Sequence, residues 1–371
     1  MKKKPSVLFE PTRIRGLELN NRLVRSATWE GMCDAEGRPT PALRDYYRDL
    51  AEGGVGLIIS GFAFVAVEGK PLPGALGLHR DDFAQDLRAL TTAVHQAGGV
   101  LCAQLAHAGG QTRPALCGGT PLAPSAVAAA QYQPETPAAM SGADIQRTIA
   151  AFADAARRAR ECGFDAVQLH AAHGYLINQF LSPHTNRRDD GYGGRLDNRA
   201  RFLLSTYRAV RAAVGDDYPI LVKLTGSDHL PEGLGEKEAV RVAQALDALG
   251  IDAIEVSSGT PASGKLTPLR RNILAPDQEA YNLSQARDIK AAVRCPVMVV
   301  GGIRGPDRAA AILRDGDADY LCLSRPLIRE PGLPRRWRAT DNPVASDCTS
   351  CNRCFKAALK GRLECLKANG A

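Results

Sequence analysis

Residues 219–258 read PILVKLTGSDHLPEGLGEKEAVRVAQALDALGIDAIEVSS. PILVKLT (219–225) is a nearly continuous apolar run of strand length, the pattern of a parallel strand covered on both faces. An amphipathic stretch over 236–249 predicts a helix, Gly250 ends it, and DAIEVSS (252–258) repeats the strand pattern. The same unit recurs outward in both directions. LVRSAT (23–28), GVGLIIS (54–60), GVLCAQL (99–105) and DAVQLHA (165–171) precede it; PVMVVGG (296–302) and ADYLCLS (318–324) follow. Helical stretches at 81–97, 142–162, 199–214 and 306–315 lie between strands, and Gly53-Gly54, Gly98-Gly99 and Gly163 sit just before three of them. Eight strand–helix units predict an α/β chain folded as a (β/α)8 TIM barrel over residues 1–340, with a cysteine-rich tail over 341–371. A doubly wound open sheet is the alternative, but it rarely uses eight such evenly built units. Two long loops, 106–140 and 259–283, follow strands 3 and 6, where barrels place lids and substrate walls.

Composition narrows the function. The 371 residues carry 47 Lys+Arg against 40 Asp+Glu, a net charge of +7, with 44% hydrophobic residues, so an ordinary globular core is expected. No run reaches the roughly 18 apolar residues of a spanning helix. The start, MKKKPSVLFEP, has too short an apolar stretch for a secretory signal, which predicts a cytoplasmic protein. Basic clusters at Lys2 to Lys4, Arg187-Arg188, Arg270-Arg271 and 325–338 are not interleaved with aromatics, only 5% of the chain. Nucleic-acid binding is therefore not expected, and a basic rim for phosphorylated cofactors is the better use of the charge.

The ten cysteines divide in two. Cys33, Cys102, Cys117, Cys162, Cys295 and Cys322 are scattered, several inside apolar runs, and read as small hydrophobes. Cys348, Cys351, Cys354 and Cys365 form C-x2-C-x2-C-x10-C, a spacing that points to metal rather than disulfides in a cytosolic chain.

In a barrel the chemistry lies at the C-terminal strand ends. There the sequence puts Ser26-Ala27-Thr28, Ser60-Gly61, Gln104, His170 with His173, Lys223, Ser257-Ser258, Gly301-Gly302 and Ser324-Arg325. The glycine pair lets backbone N–H groups approach a phosphate and Arg325 supplies a charged fork; a plain turn with a surface Arg is the bland alternative. Gln104 could be a satisfied core residue and Lys223 a solvated one. With a flavin bound, Gln104 would meet the pyrimidine edge and Lys223 would stabilise negative charge near N1. His170 and His173 could grip one oxygen, with Tyr175 as proton donor. A zinc site or hydrogen-bonded core histidines are the competing readings.

The strings LFEPTRIRGLELNNRLVRSATWEG, AQLAHAGGQ, HAAHGYLINQFLSPHTNRRDDGYGGRLDNRARF, GGIRG and ADYLCLSRPLI resemble the Old Yellow Enzyme family of FMN-dependent NAD(P)H oxidoreductases over residues 6–340. The resemblance implies FMN over the barrel mouth, contacted by Ser26, Ala27, Thr28, Gly61, Gln104 and Lys223, with Gly301, Gly302, Ser324 and Arg325 at the phosphate. It implies that His170 and His173 bind the substrate's activating oxygen and Tyr175 protonates the α-carbon. Lys223 stands where many members carry Arg. Trp29 stands where members carry a flavin-tuning Thr or Cys, and would narrow the pocket. The tail, CTSCNRCFKAALKGRLEC, resembles the iron–sulfur segment of the branch containing trimethylamine dehydrogenase and bacterial dienoyl-CoA reductase. Cys348, Cys351, Cys354 and Cys365 would then hold a [4Fe–4S] cluster, with zinc or no metal as rivals. Those enzymes continue into a further nucleotide-binding domain, so a chain ending at Ala371 would need an external electron donor.

The expected function is hydride transfer from NADH or NADPH through FMN to an activated C=C bond of an enone, enal or enoate. The alternatives are an iron–sulfur flavoprotein fed by a partner protein, acting as enoate reductase or amine dehydrogenase, and a flavin electron carrier with no substrate. Assembly as a homo-oligomer is left open.

Overall fold

The computed structural model describes residues 6–128 and 135–367. The basic cluster Lys2 to Lys4 and part of the first long loop lie outside these residues. Eight parallel strands close into a barrel: β1 (Leu23–Arg25), β2 (Leu57–Ile59), β3 (Leu101–Ala106), β4 (Ala166–Ala171), β5 (Ile220–Thr225), β6 (Ala253–Ser257), β7 (Val297–Val300) and β8 (Tyr320–Leu323). Each pairs in parallel with the next, and β8 returns to β1 to close the cylinder. This is the (β/α)8 barrel the eight apolar runs predict, since strands covered outside by helices and inside by one another need apolar residues on both faces.

The barrel helices are α1 (Pro41–Glu52), α2 (Ala84–Gln96), α3 (Gly142–Glu161), α4 (Arg201–Val214), α5 (Glu236–Ala248), α6 (Leu283–Lys290) and α7 (Pro306–Arg314). Local chemistry sets their ends. Ser141 and Asp144 form a reciprocal capping box at the start of α3, and Thr40 caps α1 ahead of Pro41. Gly163 and Gly250 take left-handed φ of 87° and 85° where α3 and α5 turn into the next strand.

Two apolar layers result. One fills the space between strands and helices, and the other lies inside the barrel, where Val24, Leu57, Leu221 and Met298 pack with Cys102 and Cys322. Those two thiols are buried hydrophobes, as expected. A hairpin, Thr12–Ile14 with Leu17–Leu19, sends Ile14 and Leu19 into this inner layer. No helix among the described residues is long and apolar enough to cross a membrane.

Beyond β8, the segment Leu333–Arg338 leads into the tail. Its helix α8 (Arg353–Ala358) lies against the loop that leaves β1: the Trp29 and Phe355 rings are 5.4 Å apart, and a Cβ on Gly31 would stand 2.2 Å from the Ala358 carbonyl oxygen.

Candidate active site

Strand register gathers the polar residues. Gln104 pairs across from Gln168, and His170, Lys223 and Glu255 share the next rung. Successive inward positions on parallel strands alternate with outward ones, so these side chains share the barrel interior just under its mouth.

They form one continuous network. Lys223 Nζ donates to Glu255 Oε1 at 2.9 Å and to Ser26 Oγ at 2.8 Å, and Ser26 donates to the same carboxylate oxygen at 2.6 Å. Gln168 Nε2 donates to Glu255 Oε2 at 2.9 Å, and Gln104 Nε2 to Gln168 Oε1 at 2.7 Å. A carboxylate only accepts, so Glu255 fixes both amides: Gln168 must present its NH2 to Glu255 and its oxygen to Gln104. The Gln104 carbonyl oxygen is what remains. The side chains of Lys223 and Glu255 are only 3% and 0% exposed, so the ammonium is charge-balanced from within the barrel and is not solvated. Glu255 and Gln168 escaped the sequence reading, although each is a long polar residue between apolar neighbours within its strand.

Above this network stand the three candidate catalytic residues. The His170 ring is 4.8 Å from Tyr175 and 5.2 Å from His173, both edge-on. His170 Nδ1 accepts the Ala172 N–H at 3.4 Å, which leaves its proton on Nε2. His173 Nε2 is 2.7 Å from Ser257 Oγ, and a Ser257 hydroxyl donating there leaves the ring proton on Nδ1. His173 adopts φ of 62°, an uncommon backbone for a non-glycine residue; Thr225 accepts from its N–H and Gln111 donates to its carbonyl. Burial, reinforced by the Lys223 charge, holds both imidazoles well below the usual histidine pKa, so they are neutral donors near pH 7. Burial also raises the Tyr175 phenol, which keeps its proton.

The other predicted positions separate by role. Thr28 Oγ1 lies 2.7 Å from Ser324 Oγ, bringing the ends of β1 and β8 together, with Ala27 half-buried beside them. Gly61 has a plainer reason to be glycine: its N–H donates to Glu30 Oε1 at 3.0 Å, and a Cβ there would sit 2.0 Å from Glu30 Oε2. Gly301 and Gly302 have φ of 149° and 72°, which only glycine adopts without strain. Arg325 is turned partly away from the mouth, its Nη1 donating to the Arg270 carbonyl and Asn352 Oδ1, both at 2.7 Å. Trp29 packs on Phe355 and donates to the Pro73 carbonyl, so its indole is committed to the tail contact.

Two cavities flank the mouth. One is an open cleft lined by Gly174, Gln111, Asn178, Asp228 and Thr260. The second, a small cleft, is lined by Cys348, Cys351, Cys354 and Cys365 together with Arg325 and Asn352. The four tail thiols thus share one cavity. Yet among the described residues no group of three or more His, Cys, Asp or Glu is arranged to hold a metal ion.

A model of the NADH:flavin oxidoreductase / NADH oxidase family matches residues 7–342. An NADPH dehydrogenase of Geobacillus sp. (strain WCH70) is 40% identical over 332 residues, covering 89% of this chain and 93% of that protein. Among solved structures, a 2-naphthoyl-CoA reductase complexed with 2-naphthoyl-CoA superposes with a TM-score of 0.90 at 27% identity, over 98% of this chain and 57% of that one. An old yellow enzyme homologue from Zymomonas mobilis gives 0.80 at 28% identity, covering 98% of each chain. The chain spans about half the length of some curated relatives it matches, 51% and 52% in two cases.

Proposed function

The chain belongs to the NADH:flavin oxidoreductase / NADH oxidase family, an oxidoreductase with FMN as cofactor and NAD(P)H as reductant, and from that premise we propose that it reduces activated carbon–carbon double bonds of enones, enals or enoates. The observation that carries this reading is the buried trio at the mouth, two neutral imidazoles and a protonated phenol with their rings in contact.

The residues present fit FMN. Glu255 leaves the Gln104 carbonyl oxygen free to accept from the flavin's pyrimidine N–H. The Gly301-Gly302 turn would offer backbone to the phosphate; Gly302 is left-handed, and a Cβ there would crowd Ile273 and Tyr281 at 3.1 to 3.2 Å. Ser26, Ala27, Thr28, Gly61 and Lys223 would contact the ring or its ribityl chain, and Ser324 and Arg325 would hold the phosphate. Bound FMN would supply the hydride chemistry, accepting hydride from NAD(P)H and passing it to the β-carbon of the alkene.

The protein's own part is to hold the carbonyl and deliver the proton. His170 Nε2–H and His173 Nδ1–H donate to the substrate oxygen, and that hold strengthens as negative charge builds there. Neutral donors suit this task because they bind the oxygen without giving up a proton to it. Tyr175 then passes its phenolic proton to the α-carbon, so hydride plus proton complete the addition across the double bond.

Tyr175→Phe tests the assignment. Alkene reduction of cyclohexenone should slow by about 10²-fold or more in stopped-flow, the scale of a lost general acid, while flavin reduction by NAD(P)H stays nearly unchanged. Equal losses in both half-reactions would sink the proton-donor role.

A further inference from the structure

Arg270, on the loop after β6, has no assigned task. Its guanidinium carbon lies 4.3 Å from the centre of the Tyr281 ring. Tyr281 is the residue that covers the glycine turn: its Cδ2 and Cε1 stand 3.2 Å from Cβ positions built on Gly301 and Gly302, and its N–H donates to the Gly301 carbonyl. The Arg270 carbonyl in turn accepts from Arg325 Nη1 at 2.7 Å. Loop and strand ends are thereby tied so that two guanidinium groups border one turn.

Among the described residues neither cation has a carboxylate partner. Arg270 Nη2 has only neutral neighbours at the limit of contact, His229 Nε2 at 3.4 Å and Ser258 Oγ at 3.5 Å, and its buried Nε has no partner. Burial depresses the Arg270 pKa, the mark of a cation desolvated without a counter-charge. Arg325 donates to the Arg270 and Ser350 carbonyls and to the Asn352 amide oxygen, again all neutral. Glu279 is already taken by the N–H groups of Arg304 and Gly305 and faces Arg304 Nε at 3.5 Å. A phosphate monoester carries about −1.5 to −2 charges at pH 7, more than one guanidinium neutralises.

We propose that Arg270 is the second cation of the phosphate seat, closing over the FMN phosphate from the loop after β6 while Arg325 and the Gly301-Gly302 turn hold it from the strand ends. The inference rests on the FMN reading above. Phosphate groups of NAD(P)H share this chemistry, and the test separates the two sources.

Apoprotein is titrated with FMN and with riboflavin, following flavin fluorescence, for the wild type, Arg270→Gln and Arg270→Lys. A wild type that binds neither flavin would overturn the FMN reading itself, independently of Arg270. With that control met, Arg270→Gln should weaken FMN by about 10- to 100-fold, the range of a lost charge-assisted hydrogen bond, and leave riboflavin unchanged. Arg270→Lys should recover part of the loss. Equal weakening of FMN and riboflavin would overturn the proposal, as the residue would then serve the ring or the loop. Unchanged FMN affinity with a raised KM for NADPH would overturn it too, by assigning the cation to the nicotinamide cofactor.

Discussion

The barrel mouth and the cysteine tail both collect polar groups beside Arg325, and they hold them in opposite ways. At the mouth, Ser26, Lys223, Glu255, Gln168 and Gln104 are linked by side-chain bonds of 2.6 to 2.9 Å, each with its donor direction forced by the Glu255 carboxylate. In the tail, apart from the Arg325–Asn352 bond, the attachments run mostly to main-chain groups and several are long. Arg304 reaches the Ser346 and Cys348 carbonyls at 3.4 Å, and Asn272 N–H reaches the Ser350 carbonyl at 3.4 Å. Of the thiols, Cys365 has a contact from Arg329 at 3.6 Å. Charge-assisted bonds in a dry interior fix geometry before any ligand arrives, whereas long contacts to carbonyls fix where a segment lies but not how its side chains face one another. The mouth is preorganised, and the tail is docked.

Acid should break the mouth first, and this is the largest expected effect. His107, His170 and His173 are buried, and desolvation lowers the pKa of each, His107 to about 3. Below about pH 6.5 the unfolded chain takes up protons that these folded rings refuse, so stability is full above that pH and falls as the pH drops. Each ring contributes a loss of about 1.4 kcal/mol per pH unit in that window. Asp228, raised by burial, works in the opposite sense, but His79, lowered by burial to about 4, and His229, also lowered by burial, add to the three rings. Urea midpoints between pH 7 and 5 check this; a flat midpoint would mean the rings are not the buried neutral groups described. The tail segment 341–371 contains no histidine, so its local opening should not follow the same titration.

A smaller effect sharpens the same contrast. Lys223→Met leaves the Glu255 carboxylate buried without its cation, which should cost about 3 to 5 kcal/mol. Pairing it with Glu255→Met removes both charges and should recover much of that loss, read as urea midpoints of the three proteins. If the single and double variants are equally unstable, packing rather than charge holds this part of the barrel.

How much of this was legible in the sequence follows the same division. The eight strands were readable because burial on both faces dictates their composition, and burial is a local demand on each run. Lys223, Gln104, His170 and His173 were readable because strand ends in a barrel converge. The pairing of Lys223 with Glu255 was not, since it depends on register between strands 32 residues apart. Gly61 drew notice as a cofactor contact, yet the close approach of Glu30 demands glycine there, and that approach exists only in three dimensions. The tail's spacing announced that its cysteines belong together, and they do line one cavity. Nothing in that spacing says that α8 docks on Trp29 and Gly31, so Trp29 read as a pocket wall where it is a tail contact.

The smallest expected effect concerns the joint between the two regions. Asn352 accepts from Arg325 Nη1 at 2.7 Å, donates to the Leu269 carbonyl at 2.8 Å, and has a left-handed φ of 62° that asparagine tolerates better than most residues. Its substitution by alanine removes both bonds, but the side chain is half-buried and water can replace what is lost, so Asn352→Ala should cost about 1 kcal/mol overall. The loss should be local, seen as faster amide exchange in 268–273 and 349–354, while β5 and β6 keep their protection. A global loss matching that of Lys223→Met would erase the distinction, because the tail would then belong to the same cooperative unit as the barrel core. A local loss confined to those two segments would mean that the Arg270 loop, Arg325 and the cysteine cavity move together as one flap beside a rigid mouth.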